Sequence, residues 1–326
     1  MSRIEFHLNL GENYYDPYEF VDTIAFAENL GFRNVWLGDH FVPWFHSGNR
    51  SAFVWSVISV ALEKTKQVKI GPLVSTPIGG RYHPALIAQA SATIDNMFPG
   101  RFLLGVGTGE AVNELPFLSN RWPKWNERMN RLTEGIELIR TLWDAREPFD
   151  FKGKFFSSDF YYLYTKPKTR IPIYLSAVGK KSAYCAGKYA DHLVTLSSKV
   201  NLEKLRNELI PAFKQGCEDA HKQMGDVLVQ LDFSFQSPGE LLKSSKSLGF
   251  YKRDSWSLRT PVEVERSGDS VSVEDLTQRV HFCNSWDQVV TMIEDYVTSG
   301  ATAIVLPTEA GRPVVQQFAT NLLSEF

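Results

Sequence analysis

Eight short β-rich runs alternate with amphipathic helical stretches over the whole 326-residue chain, and nothing else in the sequence constrains the fold as strongly. The runs fall at 6–8, 34–37, 68–71, 102–105, 171–175, 192–194, 228–233 and 303–306. Helical periodicity falls between them at 17–30, 51–64, 84–96, 125–143, 180–189, 202–221, 286–299 and 313–323. Strands separated by helices cannot pair as hairpins and imply parallel βαβ units. Eight such units favour closure into a (β/α)8 TIM barrel over an open doubly wound sheet. The helix ends agree: Asp16-Pro17 supplies an N-cap and a first-turn proline, and Gly31 follows the first helix as a C-terminal stop.

Two stretches break the alternation. Residues 147–166 are aromatic and polar by turns, with Gly153 at an expected hairpin tip, and residues 236–275 are long, charged and only patchily periodic. Both read as loop insertions without enough apolar residues for cores of their own, so that 1–326 is expected to be a single barrel domain. Long loops in such domains tend to cover active sites. The 35 basic and 37 acidic residues are well mixed, with no basic block to follow a phosphate backbone, which argues against nucleic acid as a partner. No apolar run approaches the ~20 residues of a membrane span, and the start lacks the apolar core of a signal peptide. Three widely spaced cysteines (Cys185, Cys217, Cys283) suit a reducing, cytoplasmic setting.

Barrels carry their chemistry at the C-terminal ends of strands. The second run leads into Gly38-Asp39-His40-Phe41-Val42-Pro43-Trp44. Imidazole titrates near neutrality, as proton exchange with a hydroxyl requires, although a loop histidine bonded to a carbonyl is the plain alternative. The third run ends in a turn bracketed by Pro72 and Pro77, which on its own says only that the turn is rigid. The fourth leads into Gly105-Val106-Gly107-Thr108-Gly109-Glu110 and then Asn113-Glu114. Alternate glycines let backbone approach a ligand. A dinucleotide fingerprint fits poorly, because it needs glycine where Glu110 stands and belongs on the first strand. After the fifth run, Gly179-Lys180-Lys181 opens a helix, a ready anion site if the lysines are not simply solvated. Metal-ligand spacings and a nucleophile elbow are both missing, so no metal is expected.

Taken together these segments resemble the bacterial-luciferase-like superfamily of TIM barrels. Within it they are most similar to the coenzyme F420-dependent glucose-6-phosphate dehydrogenase family. The likeness runs through Asp39-His40-Phe41 with Trp44, residues 85–93, Gly105 to Ala111, Asn113-Glu114, Trp122-Pro123, Glu127-Arg128 and Pro172-Ile173-Tyr174, and it thins beyond Lys199. The resemblance implies an 8-hydroxy-5-deazaflavin, coenzyme F420, contacted by Asp39, Val74, Thr76, Gly107, Glu110, Asn113, Ala177, Val178 and Gly179. It also implies a non-proline cis peptide at Leu73–Val74, His40 as base, Glu110 as the group that protonates the ring, and Trp44 as a substrate wall. For a sugar phosphate it implies Lys199, Arg279 and, near a departed threonine, Thr195, with Ser255 standing where the family has a third cation and Lys252 and Arg253 nearby. A homodimer is implied as well. The readings left open are an F420-dependent secondary alcohol dehydrogenase, an FMN-dependent monooxygenase, and a barrel that binds a flavin or deazaflavin without turnover.

Overall fold

The computed structural model describes residues 4–11, 16–47, 50–252, 254–308 and 311–326. Its strands in chain order are β1 (Glu5–Leu10), β2 (Asn34–Leu37), β3 (Lys69–Pro72), β4 (Leu104–Val106), β5 (Phe149–Lys152) and β6 (Ser157–Tyr161). There follow β7 (Ile173–Ser176), β8 (His192–Leu196), β9 (Val227–Gln230), β10 (Phe233–Ser234), β11 (His281–Phe282) and β12 (Ala303–Thr308). Eight of them form one parallel sheet in the order β3-β2-β1-β12-β9-β8-β7-β4. Parallel bridges from Ile70 to Phe102 and from Ser75 to Val106 join its two edges, so the sheet closes. The eight barrel strands are the eight β-rich runs of the sequence, shifted at their ends by up to three residues. All side chains of β2 are buried, as expected of a strand covered on both faces.

Alternation along the strands divides the apolar residues into two sets. Trp36, Tyr174, Val194, Leu228 and Val305 pack inside the barrel. Leu8, Leu37, Ile70 and Leu193 face the helices in the main core, where each fully buried side chain of this size contributes roughly 1.5–3 kcal/mol. Polar residues close the interior at both ends. Below, Trp36 Nε1 donates to His7 Nδ1 at 2.9 Å; above, Asn9 Nδ2 donates to Gln230 Oε1 at 3.1 Å.

The helices follow their sequence signals, with two informative departures. The first, Pro17–Asn29, is capped by Asp16, whose carboxylate accepts from the Tyr18 and Glu19 amides, and Gly31 follows at φ 107°. The second begins at Val54 rather than at Ser51, because the Ser51 hydroxyl is used elsewhere, donating to the His40 carbonyl at 2.8 Å. The continuous helix expected over 202–221 is interrupted by a π-helical turn, Leu205–Leu209, before Ile210–Asp219. Pro211 lacks the amide that would bond back one turn, and the widened turn absorbs the loss.

The two insertions differ in kind. Strands β5 and β6 form an antiparallel hairpin with Gly153 at its tip, where the Glu134 carboxylate accepts from the amides of Lys154, Phe155 and Phe156. The segment 236–275 is more regular than its patchy periodicity suggests. It folds into helices Pro238–Ser244, Pro261–Gly268 and Val273–Thr277, and its Leu248 and Val271 form a small core together with Leu276 and Val280, which follow just after it. Its ends are drawn together by the short parallel pair β10 and β11. Among the described residues no helix is long and apolar enough to cross a membrane.

Candidate functional site

A cavity of about 460 Å³ opens at the C-terminal ends of the barrel strands, with Asn9 and Gln230 at its floor. One half is built by the ends of β2, β3, β4 and β7. Asp39 is 5% exposed and fully engaged. Its carboxylate accepts from Tyr82 Oη at 2.9 Å, from Ser75 Oγ and from Trp55 Nε1 at 3.3 Å, and pairs with Arg81 at 3.0 Å. Asp39 therefore ties the loop after β2 to the second helix and to the loop after β3, as well as lining the cavity. His40 and Trp44 lie on the same wall, their rings edge to face at 4.8 Å. Asn113 Oδ1 accepts from the Phe41 and Val42 amides at 2.9 and 3.3 Å, which fixes the loop that carries both.

The peptide between Leu73 and Val74 is cis, and Val74 and Thr76 face the cavity. Beside them run Gly107, Thr108, Gly109 and Glu110. A Cβ on Gly107 would come within 2.6 Å of Val74 Cγ2, so this glycine serves first the close packing of two strand ends. Gly109 has φ 69°, where an L side chain is strained. Glu110 is the N-cap residue of the single turn Ala111–Glu114. Burial pushes the Glu114 carboxyl up to about 8, against the pull of Arg81.

After β7, Ser176 and Val178 line the cavity. Ala177 is packed in the outer core and lies off the wall, which is what alternation demands of the residue between two inward-facing ones. Gly179 is the N-cap of helix Lys180–Tyr189 and is held by Ser182, its amide donating to Ser182 Oγ at 3.2 Å. The expectation that the two lysines present positive charge to a ligand changes. Lys181 turns away to Asn126 Oδ1 at 3.0 Å and to the Trp125 ring. The cation on the wall is Arg128, 7% exposed and stacked on Trp122 at 4.2 Å. Its guanidinium donates to the Pro123 carbonyl at 2.7 Å, and its Nε has no hydrogen-bond partner. Arg128 belongs to a matched sequence segment, but no local pattern marks it as a ligand group.

The other half of the cavity is lined by Asp232, Ser247, Phe250, Tyr251 and Trp256, four of them from the long insertion. The expected phosphate-binding residues lie around this half without lining it. Lys199 Nζ donates to the Phe250 carbonyl at 3.1 Å and lies 4.8 and 5.3 Å from the Phe250 and Trp256 ring centroids. Burial and the neighbouring Arg279 lower its pKa to about 8. Ser255 Oγ stands 3.5 Å from the same nitrogen, whereas Lys252 points off to Ser270 and Asp275. Arg253 lies outside the described residues. Arg279 donates to the Ser198 carbonyl at 3.3 Å. Asp232, which sequence reasoning missed, accepts from Tyr251 Oη at 3.1 Å, and burial pushes its carboxyl up to about 6. The assignment of Thr195 to substrate needs correction. Val194 and Leu196 line the cavity, so alternation turns the fully buried Thr195 towards the helices.

Comparison with known proteins agrees with this architecture. Residues 4–237 match the family described as Luciferase-like monooxygenase. An F420-dependent glucose-6-phosphate dehydrogenase of Kribbella flavida is 34% identical, over 90% of this chain and 88% of its own. One of Amycolatopsis mediterranei is 32% identical, over 95% and 94% respectively. Among solved structures, an F420-dependent secondary alcohol dehydrogenase in complex with an F420–acetone adduct superposes with a TM-score of 0.88 at 29% identity, covering 98% of each chain. The coenzyme F420-dependent tetrahydromethanopterin reductase of Methanopyrus kandleri shares the fold, with a TM-score of 0.76 at 19% identity over the full length of both. The chain belongs to the luciferase-like family of barrels and, within it, to the family of the F420-dependent glucose-6-phosphate dehydrogenases.

Proposed function

We propose that this protein is a coenzyme F420-dependent dehydrogenase that oxidises a secondary hydroxyl, with a sugar phosphate of the glucose 6-phosphate type as its substrate. The observation that carries the reading is the convergence of His40, Trp44 and Glu110 on one cavity wall with Val74, Gly107 and Val178. The residues present fit the coenzyme on grounds of their own. Val74, Met129 and Val178 offer apolar wall to a planar ring, and the buried Arg128 Nε, without a partner, is suited to an anionic group of the same ligand. Bound there, a deazaflavin supplies a ring carbon that accepts hydride and, unlike a flavin, reacts poorly with oxygen.

The chain's own residues do the rest. His40, set by Ser51 and packed against Trp44, takes the hydroxyl proton. Glu110 would hold a proton at the cavity wall for the bound ring, and Asp39, locked by Arg81, Ser75, Tyr82 and Trp55, holds the loop that carries His40. Fixing two reactants in reacting register is the largest service such a wall performs. Fluorescence titration with F420 and with FMN, each alone, tests the reading. Saturable binding of F420 is expected, and tight FMN binding with oxygen consumption would move the protein to the monooxygenases.

A second reading, an F420-dependent alcohol dehydrogenase, is favoured by one specific observation. The wall of the substrate half presents a carboxyl, Asp232, and the rings of Trp44, Phe250 and Trp256, while Lys199 and Arg279 are held behind it by carbonyls. A homodimer belongs to the same proposal. Phe53, Val60, Leu86 and Met97, on or beside the second and third helices of the barrel, are at least half exposed, and a second copy would remove that apolar surface from water. The three buried thiols suit a cytoplasmic setting.

A further inference from the structure

One buried acid on the cavity wall has no part in the chemistry described so far. Glu114 is 2% exposed, and its Oε2 has no hydrogen-bond partner. It ends the single helical turn that begins after Glu110, and its amide donates to the Glu110 carbonyl at 3.0 Å. Both residues line the same cavity. The Glu114 side chain is wedged between two glycine turns. A Cβ on Gly109 would meet its Cγ at 2.8 Å, and one on Gly80 would lie 3.4 Å from Oε2.

Charge balance decides its state. The groups facing Glu114 are Arg81, Asp39 and Glu110, with the Tyr82 hydroxyl beside them. The Arg81 guanidinium is already paired with Asp39 at 3.0 Å. One cation thus serves two buried carboxyls, and a second uncompensated negative charge is costly there. Burial acts in the same sense, raising Glu114 to about 8. The acid is therefore neutral at pH 7, beside a residue that has to release a proton in every turnover.

We propose that Glu114 is the proton store of this site: a neutral acid whose Oε2 proton passes to Glu110 after Glu110 has given its own away. The proposal rests on the dehydrogenase reading above. In the transfer the O–H bond at Glu114 Oε2 breaks and an O–H bond forms on the Glu110 carboxylate. The Glu114 carboxylate left behind faces Arg81 until a proton returns from solvent through the open cavity. No electrons move in this step.

Glu114→Gln keeps the size of the side chain and an acceptor for the Arg81 amide but cannot cycle a proton. In the coenzyme-free protein, infrared titration should show a protonated-carboxyl band that disappears near pH 8 and is missing from Glu114→Gln. With coenzyme, the variant should bind F420 as the parent does and keep its KM, while kcat falls roughly tenfold or more. Glu114→Asp, which stays titratable, should recover part of that loss. Parent protein that fails to bind F420 sinks the functional reading and the relay with it. Parent protein that binds F420, with Glu114→Gln retaining normal kcat or with no band that depends on Glu114, overturns the relay alone.

Discussion

The two halves of the cavity are made by different parts of the chain, and they carry different amounts of information. The coenzyme half is built from the ends of β2, β3, β4 and β7, where the barrel dictates backbone position to within a residue. Its side chains are locked many times over: Asp39 alone engages Ser75, Tyr82, Trp55 and Arg81. The substrate half draws Ser247, Phe250, Tyr251 and Trp256 from an insertion that completes a core of four buried side chains only with the residues just after it. The half-buried Lys199 behind it is held by a carbonyl and two rings. A site made of strand ends can keep its chemistry while an insertion changes what enters it. Relatives named for glucose 6-phosphate and a structural neighbour named for a secondary alcohol are both similar to this chain over nearly its whole length.

The largest effects should come from the coenzyme half. His40→Ala, or Glu110→Gln, is expected to lower kcat roughly 10²-fold or more with coenzyme affinity little changed. Stopped-flow absorbance of the deazaflavin reads both quantities, and near-normal turnover in both variants would remove these residues from the chemistry. Next in size is Arg128→Met. Loss of a buried charged hydrogen bond is worth roughly 1.5–3 kcal/mol, so F420 should bind about tenfold to a hundredfold more weakly. Lys181→Met should change binding little, since Lys181 faces Asn126 and Trp125. If the lysine variant weakens binding and the arginine variant does not, the anion lies at the helix start after all.

These two halves also differ in how far the sequence disclosed them. The eight strands were legible because each is a short apolar run whose partners lie at fixed helical spacing. Asp39, His40, Trp44 and Glu110 were legible because strand ends are where a barrel places its chemistry. Arg128 was hidden for a geometric reason. It lies inside helix Trp125–Asp144, and only the packing of that helix beside Ser182 brings it to the wall. Lys181 carried the right one-dimensional signal at the wrong angle, facing Asn126 and Trp125. Thr195 was not excludable from sequence, because Leu193 and Val194 are both apolar and only the structure shows that Val194 is the one inside the barrel, with Thr195 turned outward. The small core beside the insertion escaped because Leu248, Val271, Leu276 and Val280 follow no single period: Leu248 begins a short 3-10 turn, Leu276 lies in the five-residue helix Val273–Thr277, and Val271 and Val280 stand between elements.

A middle-sized effect separates the two substrate readings. If a sugar phosphate is bound, Arg279→Ala and Lys199→Ala should each raise KM for glucose 6-phosphate roughly tenfold with kcat little altered, as loss of one charged contact of ~1.4 kcal/mol would do. Asp232→Asn should lower that KM by removing a like charge from the wall. Steady-state kinetics on glucose 6-phosphate, free glucose and a small secondary alcohol reads all three variants. Equal or better turnover of the alcohol, indifferent to Arg279 and Lys199, would hand the substrate half to the alcohol dehydrogenase reading.

The smallest expected effect is a pH dependence, and its sign follows from Lys199. Burial and Arg279 lower its pKa to about 8, so the ammonium is charged below that value and neutral above it. Because the shift is downward from the ordinary lysine value, the native state loses this proton before the unfolded chain does. Stability therefore rises with pH between about 8 and the ordinary lysine range, whereas phosphate binding weakens over the same interval. In free enzyme at pH 8 half the lysine is charged, and KM for a phosphorylated substrate should be up roughly twofold from pH 7, with a steeper rise beyond. An unphosphorylated alcohol should show no such rise in KM. Lys199→Arg keeps its charge at every accessible pH and should flatten the profile for the sugar phosphate, provided the longer head group still reaches. Glu114, whose carboxyl also lies at about 8, adds a loss of kcat above that pH for every substrate, whereas Lys199 acts on KM for the phosphorylated one alone.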